Sequence, residues 1–251
     1  MIDLSGRIVL ITGAGGGIGS ATARTVAAAG ASVVLHDVSA DATRALAEEI
    51  GERAHRLAAD LSDPTAADPL WQEALQVYGR IDVLVNNAGI YPPAPLDENL
   101  ADWMGVWNLS LAVNLLAPAV LCRAAVATYR TQEDGGIIVN LASRAAFRGE
   151  DPDYWHYAAA KAGVVAMTRT IARQYGREGV TAFAIAPGFV DTPLNKVFAE
   201  EVGVEVAARD TGLGKVAQPQ DVANVIAFLS SGLATHATGT TIDVNGASYV
   251  R

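Results

Sequence analysis

The sequence predicts an α/β fold in which a doubly wound, parallel sheet carries helices on both faces. Two observations predict it. Seven short apolar runs alternate along the chain with longer stretches that have helical spacing. Most of the short runs are rich in Val, Ile and Leu and carry no charge, which is typical of strands buried on both faces. Right-handed crossovers between such strands produce a doubly wound sheet.

Each predicted strand is a run of five or six residues, a common strand length. The strands are separated by segments long enough to hold a crossover helix, so we expect parallel pairing. The seven predicted strands are Ile8–Thr12, Ser32–His36, Ala54–Ala58, Ile81–Asn86, Gly136–Leu141, Thr181–Ile185 and Thr240–Val244.

Six longer segments repeat apolar residues every three or four positions, as amphipathic helices do. The longest, Leu100–Tyr129, has an apolar stretch that contains Asn114, Pro118 and Arg123. Because these residues are costly at a bilayer centre, we expect a buried helix and no membrane partner. The other predicted helices are Gly17–Ala29, Asp41–Ile50, Pro64–Tyr78, Tyr154–Gly179 and Pro219–Ser231.

Composition narrows the class of protein. The 251 residues, 51% of them hydrophobic, suit a single domain over residues 1–251. A net charge of −9 argues against a nucleic-acid partner. The lone cysteine, Cys122, cannot support a disulfide framework, and the N-terminus lacks the pattern of a secretory signal, so we expect a cytoplasmic protein. His36, His55 and His236 lack metal-ligand spacing, so we expect no metal.

One segment breaks the alternation of strands and helices. Residues 189–214 lie between a predicted strand and a predicted helix, and they include Pro193 and a short amphipathic run, Val197–Ala208. Long excursions of this kind in α/β proteins commonly form lids or binding loops, so we expect a substrate loop here. A surface helix with no role in binding is the alternative.

A glycine-rich turn follows the first strand directly. Thr12–Gly19 reads Thr-Gly-Ala-Gly-Gly-Gly-Ile-Gly and leads into a helix. Glycine lets the backbone approach a pyrophosphate, and the helix N-terminus offers free N–H groups to an anion. The turn therefore predicts a Rossmann-like dinucleotide site, although its Gly-x-x-x-Gly-x-Gly spacing differs from Gly-x-Gly-x-x-Gly. A purely structural strand-to-helix turn is the alternative.

Asp37 ends the second strand, 18 residues after Gly19. A carboxylate at this place can accept hydrogen bonds from the adenosine ribose, whereas it would repel a 2′-phosphate. We therefore expect NAD(H) as the cofactor. Capping of the next helix by Asp37 is the alternative, although Ser39 and Asp41 are also available as caps.

Tyr157 and Lys161 are four residues apart at the start of a predicted helix, so they share one face. A nearby ammonium favours the phenolate and brings a tyrosine closer to use as an acid or base near neutral pH. By itself this spacing is common on helix surfaces. His156 adjoins Tyr157, but it should face away because adjacent helical residues point about 100° apart.

Further polar residues stand where strands end. Ser143 follows the fifth strand, and Asn86-Asn87-Ala88-Gly89 ends the fourth, at the edge of the sheet where ligands bind in such folds. With these residues in place, the chain resembles the short-chain dehydrogenase/reductase family over essentially its whole length. The resemblance rests on Thr12–Gly19, Asp37, Asp60, Asn86–Gly89, Asn114, Ser143, Tyr157, Lys161 and Pro187-Gly188.

The resemblance implies four catalytic residues. Tyr157 would act as the acid or base on the substrate oxygen, and Ser143 would hold that oxygen through its hydroxyl. Lys161 would bind the nicotinamide ribose and lower the pKa of the tyrosine. Asn114 would complete a water-mediated proton relay to the lysine, although a buried asparagine near Pro118 is also compatible with a local helix irregularity.

The resemblance also implies how the cofactor is bound. Asp60 and Leu61 would contact the adenine, although a turn or capping role for Asp60 remains open. The segment after the sixth strand would contact the carboxamide through the Val190 backbone and the Thr192 hydroxyl. The expected cofactor-binding residues are Gly13, Gly17, Ile18, Gly19, Asp37, Asp60, Leu61, Asn87, Ala88, Gly89, Tyr157, Lys161, Pro187, Gly188, Val190 and Thr192.

Two spacings depart from the family pattern. The segment between Asn86 and Asn114 is several residues longer than usual, which leaves the start of that helix uncertain. Ser143 and Tyr157 are also slightly farther apart than the commonest spacing, a difference that the intervening loop can absorb.

The residues free to shape a substrate pocket are mostly apolar or aromatic. Such a pocket suits an alkyl or aryl secondary alcohol, or its ketone, better than a phosphorylated substrate. Arg144 and Arg148 could bind a substrate carboxylate, or they could be solvated loop residues. The expected pocket residues are Tyr91, Ala145, Tyr154, Phe189 and Leu194.

The residues and the resemblance together predict an NAD(H)-dependent oxidoreductase that interconverts a secondary alcohol and a ketone. The alternatives within the family are a dihydrodiol or polyol dehydrogenase and a 3-oxoacyl reductase. A nucleotide-binding regulatory protein without turnover is the alternative from another class. The C-terminal residues 243–251 resemble the family's ending, which implies a homotetramer.

Overall fold

The centre of the fold is a parallel sheet, seen in a computed structural model that describes residues 2–195 and 203–251. Its strands are β1 (Ile8–Thr12), β2 (Ser32–Asp37), β3 (Ala54–Ala58), β4 (Val83–Asn86), β5 (Gly136–Leu141), β6 (Val180–Pro187) and β7 (Thr241–Val244). The spatial order is β3-β2-β1-β4-β5-β6-β7, and every neighbouring pair is parallel. The strand order reverses between β1 and β4, which opens a crevice at their carboxyl ends. The predicted fold class is confirmed.

Helices cover both faces of this sheet. Ile11 packs with Val26 and Ile226 on one face, whereas its neighbour Leu10 packs with Leu121 on the other. Consecutive residues of a strand point to opposite faces, so a strand that is apolar throughout needs both layers. The helices are α1 (Gly17–Ala28), α2 (Arg44–Ile50), α3 (Ala67–Tyr78), α4 (Leu100–Leu111), α5 (Ala117–Tyr129), α6 (Ala145–Arg148), α7 (Trp155–Tyr175), α8 (Val204–Arg209) and α9 (Pro219–Ser230).

The predicted helical span Leu100–Tyr129 is confirmed, and a π-helical turn, Ala112–Leu116, lies within it between α4 and α5, so the irregularity that the sequence left open near Pro118 is present. Pro118 supplies the physical reason. It has no N–H to donate to the carbonyl of Asn114, and its ring crowds that carbonyl in a regular α-helix. A wider turn relieves this conflict, and π turns are often found at functional sites.

The segment Leu100–Tyr129 is long and apolar enough, by length and composition alone, to cross a membrane. In the structure most of its apolar window is buried inside the protein. α5 packs against α3, and α4 packs against α7. These contacts are those of a core helix pair.

The second helix begins later than predicted. A 3₁₀ turn, Ala40–Thr43, precedes α2, and the Ser39 hydroxyl accepts a hydrogen bond from the Asp41 N–H at 3.2 Å. Ser39 therefore occupies the capping position that the sequence left open between it and Asp37.

β4 also begins later than predicted, at Val83 rather than Ile81. The buried carboxylate of Asp82 accepts a hydrogen bond from the Ile8 N–H at 2.8 Å, so a side chain satisfies the donor at the start of β1. The other strand and helix boundaries lie within four residues of those predicted.

The excursion at residues 189–214 contains a 3₁₀ turn, Pro193–Asn195, and the helix α8. The Asn195 side chain donates to the carbonyl of Val190 at 2.8 Å, which fixes the beginning of the excursion. Residues 196–202 lie outside the described residues, and they include the whole first half of the predicted run Val197–Ala208.

Candidate active site

A cleft of about 720 Å³ runs along the carboxyl ends of the strands. It lies where the strand order reverses, as ligand sites do in open α/β sheets. Gly19, Asn114, Ala145 and Tyr154 are absent from its described lining, and their positions are given below. The other predicted site residues line it: Gly13, Gly17, Ile18, Asp37, Asp60, Leu61, Asn87, Ala88, Gly89, Tyr91, Ser143, Tyr157, Lys161, Pro187, Gly188, Phe189, Val190, Thr192 and Leu194.

The glycine turn is packed too closely to accept side chains. Gly13 has φ +65°, and a Cβ there would lie 2.9 Å from the Cα of Ala88. A Cβ on Gly19 would lie 2.1 Å from the carbonyl oxygen of Gly13, so Gly19 supports the turn from beneath. Gly16, the N-cap of α1, has no side chain to accept from the first N–H groups of the helix. Those groups remain available to an anion.

Asn87 and Thr12 fix the position of this turn against the end of β4. The Asn87 side-chain amide donates to the carbonyls of Thr12 and Gly13, at 2.9 and 3.0 Å. The Thr12 hydroxyl accepts from the backbone N–H groups of Asn87 and Ala88, at 3.0 Å each. The side chain of Asn87 therefore stabilises the glycine turn. Its expected contact with the cofactor would have to come from its backbone.

Asp37 lies against the glycine turn. Its Oδ2 accepts from the Gly15 N–H at 3.0 Å, and its Oδ1 accepts from the Val38 N–H at 2.8 Å. Both oxygens keep a further lone pair for another donor. The carboxylate is thus held in one orientation where β2 ends.

Two more residues lie at the same end of the cleft. The Ser62 N–H donates to Asp60 Oδ1 at 2.9 Å, and this hydrogen bond lowers the pKa of Asp60. The bond is that of a turn, so the turn role that the sequence left open for Asp60 is present. His36 also lines the cleft; its Nε2 bonds the Ala59 carbonyl at 3.0 Å, while its buried Nδ1 has no protein partner.

Ser143, Tyr157 and Lys161 come together in the cleft. Ser143 lies two residues after β5; its hydroxyl accepts from the Ala145 N–H at 3.1 Å and is close enough to the Tyr157 phenol to lower the pKa of that group. The Lys161 ammonium donates to the Leu141 carbonyl at 2.8 Å and lies 5.6 Å from the Tyr157 ring centroid. The end of β5 and the first turns of α7 thus bring a hydroxyl, a phenol and an ammonium close together.

Burial controls the titration of this group. It raises the pKa of Tyr157 to about 12, although the hydrogen bond with Ser143 opposes the rise. It lowers the pKa of Lys161 to about 8, because the charged ammonium is poorly solvated. The expectation that Lys161 lowers the pKa of Tyr157 is therefore wrong for this structure, because burial raises that pKa and the contribution that opposes the rise comes from Ser143.

Asn114 lies in the π turn, behind the cleft, and is fully buried. Its Oδ1 accepts from the Ile90 N–H at 3.1 Å, and its Nδ2 donates to the Ile90 carbonyl at 3.0 Å. A Cβ on Gly89 would lie 3.0 Å from Asn114 Oδ1 and 3.7 Å from Lys161 Nζ. A side chain at residue 89 would therefore crowd the Asn114 amide, whereas Lys161 would meet it at an ordinary contact distance.

Tyrosine rings form one wall of the substrate side. Tyr91 stacks on Tyr154, with centroids 3.9 Å apart and planes 2° apart, and meets the Tyr157 ring edge-on at 4.7 Å. Tyr154 therefore supports the wall from behind. Ala145 is buried beneath Ser143 rather than lining the cleft.

The two arginines near Ser143 have a partner within the chain. Arg144 and Arg148 both donate to Asp210 Oδ2, at 2.7 and 3.2 Å. Asp210 directly follows α8, so this contact ties the excursion to α6. The sequence offered a substrate carboxylate or solvent as the partner, and the structure shows a third arrangement.

A buried polar network lies below the site, between β4 and β5. The Asn86 amide donates to Asn140 Oδ1 at 2.8 Å, and the Asn140 amide donates to the Thr168 hydroxyl at 2.9 Å. Cys122 joins this network, and burial raises its pKa to about 12. The thiol is therefore protonated at neutral pH and serves in packing.

Comparison with known proteins agrees with this geometry. The family profile described as Enoyl-(Acyl carrier protein) reductase matches residues 13–247. The chain belongs to the short-chain dehydrogenase/reductase family. It is an oxidoreductase that uses a nicotinamide cofactor and, like its hydroxy-dehydrogenase and 3-oxoacyl reductase relatives, interconverts a secondary alcohol and a ketone.

Three relatives of this short-chain dehydrogenase/reductase cover nearly its whole length. It is 38% identical to cis-4-hydroxycyclohexanecarboxylate dehydrogenase of Sinomonas cyclohexanicum, over 96% of this chain and 95% of the relative. It is 36% identical to 3-oxoacyl-(acyl-carrier-protein) reductase of a Synechocystis species, over 98% of each. A solved structure from Beutenbergia cavernae, assigned to NAD(P)-dependent gluconate 5-dehydrogenases and holding NADP at low occupancy, superposes with a TM-score of 0.89 at 36% identity, covering 98% of this chain and 97% of that chain.

The cleft of this short-chain dehydrogenase/reductase fits a nicotinamide dinucleotide. The glycine turn leaves its backbone open to a pyrophosphate, Asp37 presents lone pairs beyond it, and the buried His36 Nδ1 lacks a protein partner at the same end. Lys161 and Tyr157 lie at the opposite end of the cleft. These residues would hold the adenosine half and the nicotinamide half, respectively.

Some residues near the site could not be found by sequence reasoning. Ser110 contacts both Asn114 and His156, although Ser110 and His156 are 46 residues apart in the chain. A serine four residues before Asn114 was the only signal in the sequence. The prediction that His156 faces away from the Tyr157 side of the helix agrees with its position, because its ring points to α4.

Proposed function

We propose that the protein prefers NAD(H) and oxidises apolar or aromatic secondary alcohols, or reduces their ketones, with Tyr157 as the acid or base. The observation that carries the proposal is the meeting of Ser143, Tyr157 and Lys161 in one cleft, with the Ser143 hydroxyl near enough to the Tyr157 phenol to lower its pKa. A hydroxyl, a phenol and an ammonium in this arrangement can move a proton to or from a substrate oxygen.

In the reducing direction, Tyr157 donates its proton to the carbonyl oxygen, because its raised pKa keeps the phenol protonated at neutral pH. Ser143 donates a hydrogen bond to the same oxygen and stabilises the negative charge that develops there. A bound nicotinamide cofactor supplies the hydride in this direction and accepts it in the other. Lys161, with a pKa of about 8, can return a proton to the tyrosine side of the cleft.

Asp37 supports the preference for NAD(H). Its carboxylate is fixed by the N–H groups of Gly15 and Val38, so it cannot turn away from a 2′-phosphate without losing both hydrogen bonds. Like charges at that distance repel strongly. The relative that holds NADP leaves this choice open, so the two cofactors must be compared directly on this chain.

The wall formed by Tyr91, together with Phe189 and Leu194, supports an apolar or cyclic substrate. The relative from Sinomonas acts on a cyclohexane ring that carries a hydroxyl group. A second candidate, reduction of 3-oxoacyl groups, is favoured by the similarity to 3-oxoacyl-(acyl-carrier-protein) reductases. A dihydrodiol or polyol dehydrogenase is a further alternative.

The experiment is a rate survey with purified protein. Initial rates of NAD⁺ and NADP⁺ reduction are measured with cyclic, aryl and linear secondary alcohols and diols, and NADH or NADPH oxidation is measured with a 3-oxoacyl thioester. Turnover of cyclic or aryl alcohols with NAD⁺ supports the proposal. Turnover confined to the 3-oxoacyl thioester with NADPH would replace it with the second candidate.

Tyr157→Phe and Tyr175→Phe form a matched pair for the same survey, since both tyrosines lie on α7 and Tyr175 is outside the cleft. We expect Tyr157→Phe to lose turnover while NADH binding, followed by fluorescence, stays within a few-fold of wild type. Tyr175→Phe should keep full activity. Binding of NADH without turnover of any substrate by wild type would favour the regulatory alternative.

We also propose that the protein assembles as a homotetramer. The C-terminal residues of the chain support this, since Arg251 is held to Asp243 and packs over Phe147 at 4.0 Å, which orders the end of the chain. Light scattering coupled to size-exclusion chromatography measures the assembly, and a mass near that of one 26.1 kDa chain would contradict the proposal.

A further inference from the structure

Behind the cleft, three fully buried polar side chains form a continuous line. Asn114 donates from Nδ2 to the Ser110 hydroxyl at 3.0 Å, and the Ser110 oxygen lies 2.7 Å from Nδ1 of His156. Ser110 belongs to α4, Asn114 to the π turn and His156 to α7. The line therefore joins the two helical segments that carry the catalytic asparagine and the catalytic tyrosine.

The directions of these hydrogen bonds follow from the chemistry of the groups. The Asn114 amide nitrogen can only donate, so Ser110 accepts from it and has its own proton free. That proton goes to His156 Nδ1, which makes the imidazole the tautomer with hydrogen on Nε2. Nε2 of His156 is buried and has no hydrogen-bond partner among the described residues, and the backbone carbonyls of Pro92 and Asp153 act on the ring only by raising its pKa.

His156 is neutral in this setting. Burial lowers its pKa, and the carbonyls of Pro92 and Asp153 only partly oppose the shift. The other groups packed around its ring are Trp107, with ring centroids 6.0 Å apart, and Tyr154, at 6.4 Å. A neutral imidazole is thus available as a fixed hydrogen-bond acceptor.

The line holds the Asn114 amide in one orientation. Asn114 uses its oxygen on the Ile90 N–H, and its nitrogen on the Ile90 carbonyl and on Ser110. If the amide were flipped, its nitrogen would face the Ile90 N–H, so that two donors would oppose each other. Its oxygen would then face Ser110. Since Asn114 Oδ1 and Lys161 Nζ both border Gly89, the orientation of Asn114 sets the polar surroundings of the lysine.

We propose that Ser110 and His156 are positioning residues, which act through Asn114 to align the proton path that serves Lys161 and Tyr157. The inference rests on the proposed function, because it assumes that Tyr157 and Lys161 carry out proton transfer. Neither residue touches the cleft, so their effect should fall on proton transfer rather than on binding of cofactor or substrate.

The test compares Ser110→Ala, Asn114→Ala and the double variant, with Ser230→Ala as the control. Ser230 is also a buried helical serine, but it lies in α9 and bonds the carbonyl of Ile226 in its own helix. We expect Ser110→Ala to lower kcat about tenfold, with KM and the NADH dissociation constant within about twofold of wild type. We expect no further loss in the double variant, because residues that act through one another are non-additive.

The pH profile separates positioning from packing. In Ser110→Ala and Asn114→Ala, the apparent pKa of kcat for alcohol oxidation should move in the same direction, whereas Ser230→Ala should leave it at the wild-type value. The proposal would be overturned if the double variant lost kcat by the product of the two single losses. It would also be overturned if Ser110→Ala had the kcat of wild type.

His156 gives a second, independent pair of variants should Ser110→Ala fold poorly. His156→Asn keeps an acceptor oxygen near the place of Nδ1, whereas His156→Phe keeps the ring volume without an acceptor. We expect His156→Asn to retain kcat within about threefold and His156→Phe to lose about tenfold. Equal activity of these two variants would contradict the inference. Failure of the proposed function is recognised separately, since wild type would then give no Tyr157-dependent turnover at all.

Discussion

Arg144 donates a hydrogen bond to Asp210 at 2.7 Å and so connects the residue after Ser143 with the residue after α8. Arg148 reaches the same carboxylate oxygen at 3.2 Å. The side chain of Arg144 is only 12% exposed, and Arg144 and Arg148 both line the cleft. The ion pair therefore fixes one edge of the substrate side to the excursion that we expected to be a lid.

Asp210→Asn should loosen this edge. Since Asp210 is 45% exposed, we expect less than about 1 kcal/mol of lost stability, but a several-fold rise in KM for the alcohol and little change in NADH affinity. Steady-state kinetics and thermal unfolding measure both effects. Asp68→Asn is the control, because its exposed ion pair with Arg123 lies away from the cleft. Weakened NADH binding with an unchanged KM would contradict the assignment of the excursion to the substrate side.

The two reaction directions should differ in their dependence on pH. Ketone reduction needs the protonated form of Tyr157, which a pKa of about 12 maintains throughout the neutral range. Alcohol oxidation needs the deprotonated form, whose fraction grows as pH rises toward that pKa. We therefore expect kcat/KM for oxidation to rise between pH 6 and pH 10 and that for reduction not to rise, as measured by initial rates. An oxidation rate that falls over this range would exclude Tyr157 as the base.

Lys161→Met should inactivate the enzyme and stabilise the fold. The pKa of Lys161 falls from 10.5 to about 8 on burial, so at pH 7 the folded state holds an ammonium that would be better solvated in the unfolded chain. Such a pKa shift corresponds to about 3 kcal/mol of destabilisation of the folded state. In the variant, the Leu141 carbonyl would lose its hydrogen bond, which would offset about 2 kcal/mol of the gain. A net gain of about 1 kcal/mol should appear in thermal unfolding at pH 7.

The sign of this effect can be checked by pH. The folded pKa of Lys161 is depressed, so the destabilisation is complete below about pH 8 and disappears as pH rises toward 10.5. The advantage of Lys161→Met over wild type should shrink over that interval. Lys215→Met, at an exposed lysine, should show no such trend. A lower unfolding temperature for Lys161→Met at pH 7 would refute this account.

Two glycine-to-alanine substitutions should have opposite effects. At Gly19 the new methyl would lie 2.1 Å from the Gly13 carbonyl oxygen, so the glycine turn must shift, and we expect a loss of about 2 kcal/mol or more together with weaker NADH binding. At Gly105, within α4, a methyl meets nothing within 4 Å, and alanine should add about 1 kcal/mol. Chemical denaturation measures both. Equal effects would mean that the turn is not as tightly packed as described.

Cofactor preference should respond to Asp37. Asp37→Ala removes the carboxylate that would repel a 2′-phosphate, so the ratio of kcat/KM for NADP⁺ to that for NAD⁺ should rise by about tenfold or more. Asp41→Ala, at the nearby 3₁₀ turn, is the control and should leave the ratio unchanged. A wild-type preference for NADP⁺ would show that the carboxylate does not determine selectivity.

Much of this structure was open to prediction because the signals are local. A strand buried on both faces is apolar throughout, as β1 and β5 are, and the glycine turn follows its strand without interruption. Ser143, Tyr157 and Lys161 come together because the carboxyl ends of parallel strands meet at one edge of the sheet. Order along the chain was sufficient to place these residues.

The features that escaped prediction depend on contacts between distant residues. Asp210 lies 66 residues from Arg144, and Ser110 lies 46 from His156, and no spacing rule connects either pair. The effect of burial on the pKa of Tyr157 likewise depends on how the whole cleft is closed. Pro118 was a local signal in the sequence, since it indicated an irregular helix, but it did not indicate that the irregularity is a π turn.

The π turn at Ala112–Leu116 has a consequence for helix register. Each residue of a regular helix advances the face by about 100°, so a wider turn shifts the faces before and after it relative to one another. α5 can therefore present its apolar side to α3, while α4 and Asn114 are aimed separately at Ile90 and the cleft. The long apolar segment thus consists of two helices whose buried faces point in different directions. One packs in the core, and the other positions residues at the reaction centre.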